Sequence, residues 1–221
     1  MGKYTEKHLV GQPIFKQLID SLPRDKFNSL VIKYNSDRYY KTFTSWDQLV
    51  TILFGVFNRC DSMIEVCEGM QLLQGKLNYF NMNCSPAKST VGDGLRNRTN
   101  ELFRDYYFML LEHFSPTLSV SQIKDVSFDK FFIFDSTTIK LFSEIMKGVG
   151  RNPKGDGKKK GGLKVHMMID AHSNTAKFVK ISEAKMHDKN FLKYLDLPSH
   201  SMIVFDKAYN HYLQFAQWTE R

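Results

Sequence analysis

The pattern of apolar and polar residues changes about halfway along the chain. Up to about residue 115, apolar residues recur three and four positions apart, which is typical of amphipathic helices. One such set is Phe15, Leu18, Ile19 and Leu22. After a polar connector, short runs rich in Phe, Ile and Val follow, and these are typical of β-strands. The sequence therefore predicts an α+β protein with an all-helical N-terminal region and a C-terminal sheet.

The order of the C-terminal elements predicts a particular sheet. The expected strands are Phe131 to Leu141, Leu163 to Asp170, Ala176 to Ile181 and Met202 to Phe205. One helix, with Asp188 as its N-cap, precedes the fourth strand, and a final helix begins near Asn210. Three strands with short links pair as an antiparallel meander, and a right-handed crossover returns the fourth strand parallel to the first. This β-β-β-α-β-α order is the first part of a ribonuclease H-like fold.

Two of the expected strands end in the same way. The apolar run from Phe131 to Phe134 leads into Asp135, and the run from Met202 to Phe205 leads into Asp206. If these strands are parallel neighbours, the two carboxylates lie side by side. Adjacent carboxylates repel each other unless they share a proton or a cation, and Mg²⁺ prefers oxygen ligands of this kind. The repeated pattern favours a metal-binding pair for phosphoryl chemistry, although a single aspartate at a strand end more often caps the strand or begins a turn.

Three other polar residues near the expected strands have plainer interpretations. His166 and His187 are candidates for metal or phosphate contact, but a histidine within a strand is more often satisfied inside the sheet. Tyr209, three residues after Asp206, is expected to pack against the final helix rather than to orient the aspartate.

The charge balance favours a polyanionic partner. The chain has 31 Lys and Arg against 23 Asp and Glu, a formal net charge of +8, and nucleic acid is the first candidate for such a surface. Many of these cations lie in or beside a glycine-rich segment from Gly148 to Lys164, where glycines let backbone amides approach phosphates. The candidate DNA-contacting residues there are Lys147, Arg151, Lys154, Lys158, Lys159, Lys160 and Lys164. An unstructured basic hairpin tip would have the same composition.

A second candidate for DNA contact lies in the helical region. Thr90 with Asp93 predicts the start of a long helix that runs to about Phe114 and carries Arg96 and Arg98 near its start. A short helix, a loop and then a capped basic helix is similar to a helix-turn-helix DNA reader. A helical bundle with a solvated basic face has the same pattern, so both interpretations stay open.

Cysteine usage and hydropathy predict a cytoplasmic protein with no membrane partner. Cys60, Cys67 and Cys84 are odd in number and include no C-x-x-C pair, which indicates reduced thiols rather than disulfides or a zinc site. The first ten residues lack the apolar core of a signal peptide. The longest apolar run of the N-terminal half, from Leu49 to Phe57, is too short to span a bilayer.

Several longer stretches carry a family resemblance. They are GQPIFKQLI, DRYYKTFTSWDQLVTILF, FDSTTIKLF, GVGRNPKGDGKKKGGLKVH, AKMHDKNFL and IVFDKAYNHY. Together they resemble the N-terminal part of a DDE transposase from a bacterial insertion sequence, in the subgroup with a Tyr-Arg-Glu-Lys signature. The resemblance implies that Asp135 and Asp206 are the first and second catalytic aspartates and ligands of Mg²⁺ or Mn²⁺. It also implies cut-and-paste phosphoryl transfer by a two-metal mechanism on double-stranded DNA, at terminal inverted repeats and at a target site, within a homodimeric DNA complex.

The resemblance further implies a division of the chain and an incomplete site. We expect a helical DNA-binding domain over residues 1–75, a helical connector over 76–124 and a partial ribonuclease H-like catalytic domain over 125–221. The third carboxylate of the subgroup lies after a further strand, whereas Glu220 is the only Glu that follows Asp206 here. We therefore expect a truncated chain that is inactive in strand transfer.

Two other functions stay open at this point. One is DNA binding without catalysis. The other is an aspartyl-phosphate phosphatase that uses Asp135 as its nucleophile, which would usually need a second Asp where this chain has Thr137.

Overall fold

A computed structural model describes residues 13–82, 84–116, 130–140 and 162–220. The chain divides into two units between Ser115 and Pro116, a helical unit and a sheet unit. The predicted α+β class, with helices first and a sheet afterwards, is confirmed.

The helical unit contains six α-helices in its described part. They are α1 (Ile14–Ser21), α2 (Arg24–Tyr34), α3 (Ser45–Phe57), α4 (Met63–Leu72), α5 (Lys88–Asn97) and α6 (Glu101–Phe114), with a 3₁₀ helix over Gln74–Phe80. Pro13 and Pro23 precede α1 and α2, where the missing N–H of proline costs no helical hydrogen bond. Over the residues that can be described, none of the helices is both long enough and apolar enough to cross a bilayer.

Side-chain caps fix the starts of α3 and α4. Thr44 and Asp47 form a reciprocal capping box at α3, with the Thr44 N–H donating to Asp47 Oδ2 at 2.8 Å and the Asp47 N–H donating to Thr44 Oγ1 at 3.2 Å. Ser62 accepts a hydrogen bond from the Glu65 N–H at the start of α4. Such caps satisfy N–H groups that have no partner within the helix.

The single long helix predicted from Thr90 to about Phe114 was wrong, because the chain forms two helices there. Helix α5 ends at Asn97, and Arg98 adopts an extended conformation, with φ −82° and ψ 144°, before α6 begins at Glu101. The break is accompanied by burial of the Arg98 side chain.

The core of the helical unit is rich in aromatic residues and draws on α1, α2, α3, α4 and α6. The ring of Phe27 lies between Trp46 and Tyr106, with centroid distances of 5.4 and 4.9 Å. Other buried members are Ile19, Leu30, Val50, Phe54, Val66, Met70, Leu77, Phe80, Met82 and Leu102. One continuous core therefore spans the boundary at residues 75 and 76 that the sequence analysis places between a DNA-binding domain and a connector.

The sheet unit has the topology that the sequence predicts. Its strands are β1 (Lys130–Lys140), β2 (Gly162–Asp170), β3 (Thr175–Glu183) and β4 (Ser201–Phe205), in the spatial order β3-β2-β1-β4. The first three pair antiparallel, and β4 pairs parallel with β1. Helix α7 (Tyr212–Thr219) follows β4. The arrangement is that of a partial ribonuclease H-like domain.

The crossover between β3 and β4 differs in detail from the prediction. It contains a 3₁₀ helix over Asp188–Tyr194, for which His187 is the N-cap residue and no side chain caps the first turn. The expectation that Asp188 caps an α-helix was therefore wrong. Its carboxylate is used instead in contacts with β1 and β2.

The two faces of the sheet have different surroundings. Phe132, Phe134 and Met168 are buried on one face, which is packed against the crossover and Tyr209, and this face is named the covered face. Ile133 is 43% exposed and lies on the other side, which is named the open face. Because side chains alternate along a strand, Phe134 and Ser136 belong to the covered face and Asp135 belongs to the open face.

Candidate active site

Asp135 lies in β1, and Asp206 directly follows β4, the parallel neighbour of β1, at the corresponding position. The register of β1 and β4 pairs Phe132 with Ile203 and Phe134 with Phe205. Asp135 comes directly after Phe134, and Asp206 comes directly after Phe205. The two aspartates are therefore neighbours at the end of the β1–β4 pairing. The structure thus brings together the two residues that the repeated apolar run singles out, and their catalytic and metal-binding roles stay predictions.

Backbone N–H groups orient both carboxylates. Asp135 Oδ1 accepts from the N–H of Ser136 at 2.7 Å, and Asp206 Oδ1 accepts from the N–H of Ala208 at 2.9 Å. The second bond caps a short 3₁₀ helix over Lys207–Tyr209. A carboxylate offers about four lone-pair sites, so each group keeps acceptor capacity for a ligand.

Tyr209 lies beneath the two aspartates on the covered face. Its ring packs edge-on against Phe134 and Phe205, with centroid distances of 5.1 and 6.1 Å, and only 1% of the residue is exposed. Burial, reinforced by the negative charges of Asp188, Asp135 and Asp206, raises the pKa of Tyr209 to about 12, although contact with Ser136 opposes the shift. The phenol therefore stays protonated at neutral pH, and it is close enough to interact electrostatically with all three carboxylates.

Asp188 is a functional candidate that the sequence analysis missed. Its Oδ1 atom accepts from Ser136 Oγ and from Lys164 Nζ, both at 3.0 Å, and it lies 3.8 Å from His166 Nδ1. These partners come from two strands, whereas Asp188 comes from the crossover. Residue spacing in a single sequence does not predict contacts between such distant segments. The only local signal was a polar residue at the start of a helical stretch.

His166 is a buried, neutral member of this group. Its ring stacks on Phe191 with a centroid distance of 3.5 Å, and its Nε2 lies 3.0 Å from Ser182 Oγ. Burial lowers the pKa of His166, the charge of Asp188 opposes this shift and the charge of Lys164 adds to it. The cation that balances Asp188 is therefore Lys164.

The predicted DNA-contacting lysines and arginine of the glycine-rich segment fall largely outside the described part of the chain. The residues concerned are Lys147, Arg151, Lys154, Lys158, Lys159 and Lys160. Lys164 is described, and its side chain is only 14% exposed. Besides the contact with Asp188, its Nζ donates to the Met186 carbonyl at 3.4 Å, so Lys164 ties β2 to the crossover.

Arg96 and Arg98 occupy different environments. The Arg96 side chain is 77% exposed and lies 3.6 Å from Asp93 at the surface of α5. The Arg98 side chain is 1% exposed, and its guanidinium donates to Gln48 Oε1 at 2.7 Å and to the carbonyl of Phe43. A guanidinium buried in this way is not accessible to a DNA phosphate. We therefore keep Arg96 and drop Arg98 as a candidate for DNA contact.

Within the described ranges, His, Cys, Asp and Glu side chains nowhere converge in groups of three or more that could hold a metal ion. The pair of Asp135 and Asp206 thus provides two candidate ligands. Both supply the hard oxygen atoms that suit Mg²⁺ and Mn²⁺.

Comparison with known protein families gives two matches. Residues 126–221 match the model of the transposase DDE domain, and residues 10–82 match a domain of unknown function (DUF4372). No similar curated protein and no similar solved structure was found. The first match contains Asp135, Asp206 and the whole four-stranded sheet, and the second lies within the helical unit.

Proposed function

Since this chain belongs to the DDE transposases of insertion sequences, we propose that it acts on the DNA ends of such an element through Asp135 and Asp206. The reaction that we propose is phosphoryl transfer, in which a DNA strand is cut at the end of the element and its 3′-oxygen is joined to target DNA. The in-register pairing of Phe134 with Phe205 carries this proposal, because it makes the two aspartates neighbours.

The cofactor in this proposal is Mg²⁺ or Mn²⁺, held by Asp135 and Asp206. Bound ions of this kind activate the attacking oxygen and stabilise the leaving oxygen in phosphoryl transfer. Two adjacent carboxylates repel each other in the absence of a cation. Their proximity therefore favours a divalent ion over an empty pair, and both aspartates are exposed to solvent.

The protein's own groups hold the pair in position. The N–H groups of Ser136 and Ala208 each fix one carboxylate oxygen, which limits the rotation of the side chains. The packed rings of Phe134, Phe205 and Tyr209 form an apolar support on the covered face. A rigid support of this kind restricts the movement of the backbone that carries the two carboxylates.

We expect these two carboxylates to be insufficient for turnover. Mg²⁺ requires near-ideal octahedral coordination by oxygen, and a two-metal mechanism needs both ions to be fixed. With only two converging acids in the described part of the chain, we expect weak metal binding and no strand transfer unless a further carboxylate is supplied.

Double-stranded DNA is the proposed partner. The net charge of +8, the cations of the glycine-rich segment and the exposed Arg96 favour contact with phosphates. We assign recognition of the terminal repeats to the helical unit, and contact with DNA phosphates to the glycine-rich segment.

A second candidate function is DNA binding without catalysis. The specific observation that favours it is the presence of only two converging acids among the described residues. Such a protein would occupy the ends of an element without cutting them.

Calorimetric titration with Mn²⁺ tests the metal-binding pair. We expect Asp135→Asn and Asp206→Asn to weaken binding on the order of tenfold or more, since each removes a charged ligand. Asp170→Asn is the matched control, because the Asp170 carboxylate accepts from the N–H groups of His172 and Ser173 in the turn after β2. Binding by Asp135→Asn equal to that of the wild type would contradict the proposal.

A strand-cleavage assay separates the two candidate functions. DNA that carries the ends of the element is incubated with the 221-residue chain and Mn²⁺, and nicked products are resolved on a denaturing gel. Retention of DNA without nicking supports the binding function. Nicking at the element's ends that disappears in Asp135→Ala would show that this chain is catalytic as it stands.

A further inference from the structure

We propose that Asp188 is a positioning residue for Asp135, acting through Ser136 and anchored by Lys164. This inference rests on the proposed function, because it explains how one of the two metal-binding carboxylates is held. Asp188 does not touch the ions in this proposal. It fixes the peptide group that orients Asp135.

Asp188 makes the first contact on the covered face. Its Oδ1 accepts from the Ser136 hydroxyl at 3.0 Å, and its side chain is only 22% exposed. A hydrogen bond from a neutral hydroxyl to a carboxylate is stronger than one between neutral groups, and partial burial strengthens it further. The Ser136 side chain is therefore held firmly on this side of the sheet.

Ser136 carries the constraint through the sheet to Asp135. The side chain of Ser136 belongs to the covered face, whereas its backbone N–H donates to Asp135 Oδ1 at 2.7 Å. The side chains of neighbouring residues in a strand point to opposite faces. Ser136 is therefore hydrogen-bonded to Asp188 through its hydroxyl and to Asp135, whose side chain is on the open face, through its backbone N–H. Holding the hydroxyl in place holds the peptide, and the peptide holds the carboxylate of Asp135.

Lys164 anchors Asp188 from β2. Its Nζ lies 3.0 Å from Asp188 Oδ1 and donates to the Met186 carbonyl, two residues before Asp188. The β1–β2 register places Lys164 opposite Thr138 and His166 opposite Ser136, on the same face. Because His166 is neutral, Lys164 alone balances the charge of Asp188 among these neighbours. Lys164 is also the last residue of the basic glycine-rich segment, so the residue that holds Asp188 is directly linked to that segment in the chain.

Metal titration measures the effect on Asp135. With the full chain and Mn²⁺ alone as the probe, we expect Asp188→Asn to weaken binding on the order of tenfold, as removal of a group that orients a ligand typically does. Ser136→Ala should weaken binding in the same direction. Asp170→Asn is matched to Asp188→Asn, because the Asp170 side chain is 24% exposed and also accepts hydrogen bonds. Ser182→Ala is matched to Ser136→Ala, because the Ser182 hydroxyl bonds His166 instead of Asp188. Both controls should bind Mn²⁺ within about twofold of the wild type.

A charge-balancing variant separates positioning from plain stability. Asp188→Asn leaves the charge of Lys164 without its carboxylate, which lowers the melting temperature. Adding Lys164→Met to Asp188→Asn removes that unpaired charge and should restore much of the melting temperature. Mn²⁺ affinity should stay low in the double variant. Recovery of affinity together with the melting temperature would show that Asp188 acts only through stability, and would overturn the proposal.

A metal-free measurement keeps this inference apart from the proposed function. The amide proton of Ser136 donates to a carboxylate, and its NMR shift should move in Asp135→Asn. In Asp188→Asn the same signal should move towards the position found in Asp135→Asn, with no metal present. If the wild-type chain fails to bind Mn²⁺ but the Ser136 signal still moves in Asp188→Asn, the positioning of Asp135 is supported and the metal site is contradicted. An unchanged signal together with unchanged affinity in Asp188→Asn would overturn the role of Asp188.

Discussion

Arg96 and Arg98 are two residues apart, but we expect their removal to have different effects on the stability of the helical unit. The buried guanidinium of Arg98 lies 3.9 Å above the ring of Tyr40 and 3.6 Å from Asp37. Its Nε atom has no hydrogen-bond partner among the described residues, so the desolvation of the charge is only partly compensated. The favourable contacts nevertheless join α3, α5 and the loop before α3 at one point.

Arg98→Ala should destabilise the helical unit by about 3 kcal/mol, because it empties a buried site and leaves Gln48 and the Phe43 carbonyl without their donor. Arg96→Ala should change stability by less than about 0.5 kcal/mol, because Arg96 is exposed. Urea unfolding followed by the fluorescence of Trp46 in a Trp218→Phe background isolates this unit, since the chain has only these two tryptophans. Equal stability losses in the two variants would contradict the burial of Arg98.

Two tyrosines of the helical unit provide a second matched pair. The Tyr106 hydroxyl is buried with no hydrogen-bond partner in the described structure, and burial raises the pKa of Tyr106 to about 12. The Tyr34 hydroxyl instead donates to the carboxylate of Asp105. We expect Tyr106→Phe to be neutral or slightly stabilising, whereas Tyr34→Phe should cost about 1 kcal/mol. The same urea assay measures both, and a loss in Tyr106→Phe as large as that in Tyr34→Phe would refute the assignment.

Helix α5 contains two glycines, Gly92 and Gly94, that differ in whether a side chain could be accommodated in their place. A Cβ atom added at Gly94 would lie 2.8 Å from both Arg98 Nη1 and Gln48 Oε1. A Cβ atom added at Gly92 would meet nothing within 4 Å. Close approach of α3 to α5 therefore depends on Gly94, and Gly92 only lowers the helix propensity of this segment.

Gly92→Ala should stabilise the helical unit by about 0.5–1 kcal/mol, because alanine restricts the unfolded chain and favours the helix. Gly94→Ala should destabilise it by about 1–3 kcal/mol, because the Arg98 contacts would have to shift. Thermal unfolding of the two single variants provides the comparison. A stabilising Gly94→Ala would show that α3 and α5 are not as close as described.

Strand β2 makes the sheet unit sensitive to pH through His166. The pKa of His166 is lowered in the folded state, so between its ordinary value near 6.5 and the lower folded value the unfolded chain binds the extra proton. This contribution to stability is complete above about pH 6.5 and is lost as the pH falls towards the folded value. Urea unfolding followed by Trp218 fluorescence in a Trp46→Phe background should show the loss. His166→Gln should flatten the slope in this range, and substitution of the exposed His187 by Gln is the control. An unaltered slope in His166→Gln would exclude this residue as the cause.

The elements of this protein differ in how far the sequence could predict them. The sheet topology and the adjacency of Asp135 and Asp206 follow from uninterrupted apolar runs, whose burial leaves few alternatives for pairing. The break between α5 and α6 could not be predicted, because it accompanies the burial of Arg98 against Gln48, a residue fifty positions away. The role of Asp188 was hidden for the same reason, since its partners come from two distant strands.

At the scale of the whole molecule, net charge should govern DNA binding. Each phosphate neutralised on duplex DNA contributes about −0.9 to the slope of log affinity against log salt concentration. If the glycine-rich segment contacts about four phosphates, its share of the slope is about −3.6. Lys158, Lys159 and Lys160 lie in this segment outside the described residues.

Replacing these three lysines by alanine should flatten the slope by up to about 2.7, because three phosphate contacts are lost. Fluorescence anisotropy with labelled duplex DNA at several salt concentrations measures it. Replacement of the exposed Lys177, Lys185 and Lys193 of the sheet unit removes the same charge and serves as the control. A slope equally flattened by both triple variants would mean that total charge, and not this segment, determines binding.

The shared core of the helical unit sets a limit on modular exchange between related elements. The family match over residues 10–82 ends before α5 and α6, yet Leu102 and Tyr106 of α6 complete the core around Phe27. A chimera joined at residue 82 would inherit α1 to α4 with an unfilled aromatic core, and it would be prone to misfold whatever DNA site it was meant to read. A junction near Ser115 keeps that core intact. The unit that can be transplanted between transposases of this kind is therefore longer than the segment by which sequence comparison recognises it.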